Sequence, residues 1–227
     1  NKSAIIAAQK DLKEVSRIEM FDALYEMALG RRLEIDELTE KERKIVAYHE
    51  SGHALVLLMN PEMNLYPDKI TICPAGNALG YVMPWQKEKQ SIWSKEDCLY
   101  QIMLALGGCA AEKLVFGLVS SGPSSDLAKA TEIARRMICK YGMTDEFGRV
   151  CYAGKDFENS KEVNTLIQKI LETQYCKVIE LLKANRDKLD LLANTLLEEG
   201  TLYVEEVYEL LGITPPVVAG EVGVQPA

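Results

Sequence analysis

Apolar positions recur at helical spacing over most of this chain. Residues 3–29 carry a periodic apolar face that stops at Gly30. Residues 40–59 carry another, opened by Thr39 and the charged turn Glu40-Lys41-Glu42 and closed before Pro61. The texture then changes. Lys69-Ile70-Thr71-Ile72-Cys73 and Leu79-Gly80-Tyr81-Val82-Met83-Pro84 read as two short strands on either side of a turn through Pro74-Ala75-Gly76-Asn77. Helical periodicity returns over 94–116 after Ser94, pauses at Ser120-Ser121-Gly122-Pro123-Ser124-Ser125, and resumes over 126–141. A long amphipathic stretch covers about 159–184, with shorter ones near 186–198 and 203–211. From Ile213 onward the chain is rich in proline, glycine and small residues and is expected to be disordered. The pattern predicts a mainly α fold with a short β element and a C-terminal helical bundle, without internal repeats.

Composition narrows the function classes. A chain of 227 residues with 48% hydrophobic content can bury a substantial core as one or two domains. The formal net charge of −8, with no compensating basic block, argues against nucleic acid as a partner. No uninterrupted apolar run approaches the length of a membrane-spanning helix, and there is no signal peptide. The first residue is Asn1 rather than Met, so the sequence reads as part of a longer protein, in which a membrane anchor could lie elsewhere. The six cysteines (Cys73, Cys98, Cys109, Cys139, Cys151, Cys176) are scattered without a CxxC pair. They read as free or buried thiols in a reducing compartment rather than a disulfide frame or structural zinc site.

The candidate chemistry is concentrated in His49-Glu50-Ser51-Gly52-His53, which holds both histidines of the chain. Residues four apart share one helix face, so both imidazoles can reach a single metal ion. This is the HExxH pattern, with two imidazole ligands and Glu50 as general base towards an activated water. The plainer reading, two ordinary histidines one turn apart, leaves the position of Glu50 unexplained. A zinc hydrolase needs a third protein ligand, and spacing offers several carboxylates. Glu112 lies on a helix whose Gly107-Gly108-Cys109-Ala110-Ala111 run permits close packing against the metal helix. Asp126 opens the next helix, and Glu132 follows further along. Each also has an ordinary reading: Asp126 as a helix-start carboxylate favoured by the macrodipole, Glu112 as a buried, hydrogen-bonded acid. Spacing alone leaves Glu112 and Asp126 even.

Several separated segments together resemble the protease domain of the FtsH family: ERKIVAYHESGHALV, ITICPAGNALGYVMPWQ, GGCAAEKLVFG, SSGPSSDLAKATEIARRMICKYGM and ANRDKLDLLANTLLEEGTL. The resemblance runs from about residue 40 to about 212. It implies a helical zinc-metalloprotease domain over 31–212, preceded at 1–30 by the last helices of an AAA-type ATPase module and followed by a flexible tail at 213–227. It also implies one zinc ion held by His49, His53 and Asp126, with Glu50 catalytic and the edge segment Leu79, Gly80, Tyr81, Val82 and Met83 pairing with substrate backbone. A plain core or edge strand is the other reading of that segment. Family members are membrane-anchored homo- or hetero-hexamers whose ATPase ring delivers unfolded membrane and soluble proteins, with the protease on the cytoplasmic, matrix or stromal side. ATP would act only through the ATPase module, since no GxxxxGK[ST] loop occurs here. Pro123 and Ser125 depart from the family's usual alanine and asparagine, and Ser51 from its alanine. These departures bear on loop positioning rather than on the ligands. Since some relatives have lost catalytic residues, a second expectation is a catalytically idle ring-assembly module. The intact His49, Glu50, His53 and Asp126 argue for activity.

Overall fold

The computed structural model describes residues 2–29, 38–74, 78–152, 157 and 160–215. The elements run α1 (Lys2–Gln9), α2 (Arg17–Leu29), α3 (Glu40–Leu58), β1 (Leu65–Thr71) and β2 (Tyr81–Gln86). They continue with α4 (Lys95–Phe116), α5 (Ser124–Cys139), α6 (Lys161–Ala184), α7 (Arg186–Glu199), β3 (Thr201–Tyr203) and α8 (Val204–Leu211). The fold is mainly α with one small sheet, as the periodicity predicts.

Local signals set the helix boundaries that matter most. Thr39 caps α3 in a reciprocal box with Glu42, and Ser94 caps α4 in the same way with Asp97. Each box satisfies amide donors that the first helical turn leaves unpaired. α3 is then buried without interruption from Val46 to Leu58. It packs against α4, α7 and β1, so its apolar residues, Leu55 and Val56 among them, lie in one core cluster with Leu189, Leu192 and Leu196 of α7. A second cluster joins α4, α5 and α6 through Ile102, Met137, Ile138 and Val163. α4 sits between the two. By length and composition alone α4 could cross a membrane, but Ile102–Glu112 are buried against other helices, which marks a core helix.

Several boundaries differ from the sequence expectation. The apolar periodicity over 3–29, which gave no internal boundary, is carried by two helices, separated where Asp11 adopts a left-handed φ of 55°. Helices do not propagate through such a residue. The strands lie at 65–71 and 81–86 rather than 69–73 and 79–84, so Leu79 and Gly80 precede β2 instead of belonging to it. β3, at the junction of the helices expected near 186–198 and 203–211, pairs with β1 and gives an antiparallel sheet of order β2-β1-β3. α5 begins at Ser124, inside the expected loop, which puts Asp126 in its first turn. The expected boundary at 30/31 and most of the expected tail fall outside the described residues.

The N-terminal pair of helices is tied to the sheet by a buried charge. Lys69 in β1 is 1% exposed and its Nζ lies 2.5 Å from Asp22 Oδ1 on α2. Lys10 approaches Asp22 and Glu19 at 3.2 and 3.1 Å from the solvent side. None of the six cysteines is in a disulfide, and Cys98, Cys109 and Cys139 are buried.

Candidate metal centre

The site is built where α3 and α4 approach more closely than side chains normally allow. A Cβ on Gly52 would lie 2.7 Å from Ala111 Cβ, and one on Gly108 would lie 2.5 Å from His49 Nδ1. The small-residue run of α4 therefore makes the space that the His49 ring occupies. With both imidazoles on the α4-facing side of α3, their ring nitrogens become fixed by what surrounds them.

His53 Nδ1 lies 2.7 Å from the Leu104 carbonyl, which can only accept, so Nδ1 carries the hydrogen. The lone pair of a neutral ring is then on Nε2, directed inward. His49 Nδ1 lies 2.7 Å from Glu112 Oε1 and donates in the same sense, while Glu112 Oε2 accepts from the Ser120 amide at 2.8 Å. The two Nε2 atoms face each other at 3.0 Å, and Asp126 Oδ2 lies 3.3 Å from His49 Nε2 and 3.5 Å from His53 Nε2. Two inward lone pairs and a carboxylate oxygen at this spacing repel unless a cation sits among them. Tetrahedral zinc with ligands at about 2.0–2.1 Å places its donors roughly 3.3 Å apart. The observed separations bracket that value, and the N₂O donor set suits zinc.

Electrostatics agree with the geometry. Burial opposes a charge on His49, but Asp126 and Glu112 outweigh it and push the imidazole up to about 10, so that without a metal ion a proton on Nε2, facing Asp126, takes the place of the cation. Asp126 is held below the usual carboxylate range by the two imidazoles despite its partial burial. Burial likewise acts against the Glu112 carboxylate, yet His49 and the Ser120 amide hold it low. Such a site favours a positive ion between its carboxylates. Burial raises the pKa of Glu50, and the Asp126 charge adds to that, while His49, His53 and the Val82 amide work against it. A carboxyl group raised towards neutrality is better matched to general-base work.

The structure brings His49, His53 and Asp126 together, with Glu50 beside them in a cleft of about 600 Å³. Leu79, Gly80, Tyr81 and Val82 line the same cleft, whereas Met83 is paired with Lys69 inside the sheet. Glu112, weighed as a ligand on sequence, touches His49 from the opposite ring nitrogen. Glu132 forms an exposed pair with Arg136 at 2.7 Å and takes no part. Ser51 donates to the Ala47 carbonyl, a contact within its own helix. Pro123 stands at the start of α5 and its carbonyl accepts from Leu127. The Leu104 carbonyl could not be foreseen, because a backbone acceptor carries no residue signature. The need for glycine at 108 was visible only as a small-residue run.

The family profile of peptidase family M41 matches residues 36–210. The chain belongs to peptidase family M41. Among curated M41 relatives, it is 38% identical to the ATP-dependent zinc metalloprotease FtsH of Caldicellulosiruptor bescii, over 93% of this chain and 37% of that protein. It is 34% identical to the protein of the same name from Bacillus subtilis (93% and 36%) and 37% identical to that from Thermus thermophilus (91% and 35%). The chain spans about a third of the length of these M41 relatives.

Proposed function

We propose that this chain is the proteolytic part of an FtsH-like, zinc-dependent endopeptidase that hydrolyses peptide bonds of unfolded proteins. The observation that carries the reading is the convergence of two imidazole Nε2 atoms and Asp126 Oδ2, with a buried Glu50 beside them. His49, His53 and Asp126 would hold the zinc. When bound, zinc supplies Lewis-acid activation of water and of the scissile carbonyl. Glu50 accepts the proton released by that water and delivers it to the departing amine. Leu104 and Glu112 hold the imidazoles in the tautomer that presents Nε2. The edge of β2 that no described strand pairs lies alongside and would receive an extended substrate by main-chain pairing, which tolerates varied side chains.

The relatives' dependence on ATP supports a motor elsewhere in the full protein. Residues 1–30 would then be the end of that ATPase module, with the metalloprotease domain over 31–212 and a flexible tail at 213–227. A hexameric, membrane-anchored assembly fed with unfolded membrane and soluble proteins completes the reading. The decisive experiment is cleavage of a permanently unfolded, dye-labelled polypeptide by the zinc-loaded chain, compared with Glu50→Gln. Cleavage that disappears in the variant while zinc content stays constant is the expected result. Silence from both proteins with zinc bound would refute autonomous peptidase activity and favour the assembly-module reading.

A further inference from the structure

The register of the small sheet determines which main-chain groups the edge strand β2 shows to solvent. Pro67 of β1 stands opposite Pro84 of β2. Neither has an N–H, so the two cannot exchange hydrogen bonds; they form the non-hydrogen-bonded kind of pair, whose main-chain groups point away from each other. Two further bonds give the same phase. The Ile72 amide donates to the Gly200 carbonyl on the β3 side at 3.0 Å. Ile70, two residues earlier, faces the same way, and Val82 opposite Ile70 therefore faces the free edge. Just beyond β2, the Lys87 amide donates back to the Asn64 carbonyl at 3.3 Å, so odd-numbered positions face inward.

The outward set is thus Val82, Pro84 and Gln86. Gln86 offers an N–H and a carbonyl, and Val82 a carbonyl and an N–H shared with Glu50, but Pro84 offers a carbonyl alone and places its ring where a hydrogen would point. The Val82 amide acts on Glu50, as expected for a group turned to the cleft. Gly80 brings this end of the edge close to the catalytic helix, since a Cβ there would lie 2.8 Å from Val46 Cγ1 and 3.0 Å from Glu50 Cγ. The edge is tight against Glu50 at Gly80–Val82 and loses its donor about 7 Å further on, two residues along the strand.

We infer that Pro84 is a specificity-determining residue: it breaks the ladder between β2 and an extended substrate, leaving one substrate carbonyl unpartnered and confining the main grip to Gly80–Val82. The missing bond does not depend on substrate direction, because a parallel or antiparallel peptide equally needs the N–H at this position. This inference rests on the edge-pairing part of the proposed function. A proline on an edge can also serve only to discourage sheet-to-sheet association, and the test separates the two roles.

The measurement is the Kd of a dye-labelled, permanently unfolded peptide, read by fluorescence anisotropy on zinc-loaded Glu50→Gln protein, with and without Pro84→Ala. Restoring one net main-chain hydrogen bond should tighten binding about 3–10-fold, and Pro84→Val should do the same. In a peptide series with single carbonyls reduced to methylene, one position should weaken binding to Pro84→Ala and leave binding to the Pro84 protein unchanged. An unchanged Kd in both variants would overturn the inference. So would self-association of the variants without tighter peptide binding, which would assign Pro84 to edge protection alone. Cleavage of the same peptide by the protein with Glu50 intact is scored separately. Tighter binding without any cleavage upholds the role of Pro84 and counts against the hydrolytic reading; cleavage with unchanged Kd does the reverse.

Discussion

Replacing Glu112 by glutamine should weaken zinc binding even though glutamine fills the same space. The carboxylate is 1% exposed and is bound at both oxygens, by His49 Nδ1–H at 2.7 Å and by the Ser120 amide at 2.8 Å. Both partners are donors. A glutamine offers one oxygen and one NH₂, so in either orientation one of its two contacts becomes donor against donor. A hydrogen bond to a charged group is worth about 1.5–3 kcal/mol. If that whole amount is spent on presenting His49 Nε2, metal affinity falls roughly 10- to 150-fold, in line with the 10–100-fold cost typical of removing a histidine's outer partner. The assay is competition for zinc against a chromophoric chelator, with circular dichroism confirming the helical fold. Asp126→Ala serves as reference, because it removes a donor facing the ion and should cost more. A folded Glu112→Gln protein binding zinc within about twofold of the parent would refute the reasoning. Retention of zinc by Asp126→Ala with loss in Glu112→Ala would exchange their roles.

Gly108→Ala should displace the His49 ring, with which its Cβ collides, costing about 1–3 kcal/mol of stability; an unchanged denaturation midpoint and zinc affinity would count against the close-packing argument. Asp22→Ala should destabilise the fold by roughly 3 kcal/mol because it weakens the pairing of the buried Lys69 charge. Urea titration measures this, and Asp22→Leu combined with Lys69→Met should recover much of the loss. Glu42 and Asp97 have pKa values lowered in the fold, chiefly by Thr39 and Ser94 respectively. A depressed folded pKa means their contribution is fully present above the ordinary carboxylate range and is lost as pH falls through the folded values. The metal-free protein should therefore lose less stability between about pH 5 and 3 when both are replaced by their amides, and an identical pH slope would contradict the capping account.

Periodicity and punctuation made the helical part of the fold readable. Thr39 and Ser94 mark helix starts by chemistry that acts within three residues, and α3, α4, α6 and α7 begin and end within two residues of their expected bounds. The errors arose where a distant partner decides. Thr201–Tyr203 has no strand signature of its own length and becomes β3 because β1 lies beside it with Lys69, Ile70 and Thr71 available for pairing. The break at Asp11 interrupts an apolar periodicity that continues on both sides. Register had the same difficulty: one extra residue in β1, between Pro67 and Lys69, shifts the pairing in a way that alternation does not encode.

At the metal centre, the helical i, i+4 rule was enough to bring the two histidines together, but it could not rank the carboxylates. The reason is geometric. Glu112 and Asp126 both contact His49, at 2.7 Å on Nδ1 and 3.3 Å on Nε2, so each satisfies the requirement of an acid near the imidazole. Their difference lies in which nitrogen each reaches, and that follows from two packing facts. The glycine pair of α4 lets it run close under the ring, placing Glu112 one turn beyond Gly108 on the outer side. α5 begins two residues earlier than its loop composition suggests, which carries Asp126 in front of both Nε2 atoms. Neither fact is local to the carboxylate it decides. The same holds for the proposed substrate edge, where a lone Pro84 gains meaning only from standing opposite Pro67, 17 residues earlier in the chain. The chemistry of this chain is written in short motifs, whereas the assignment of roles within it depends on the register and approach of elements that those motifs do not contain.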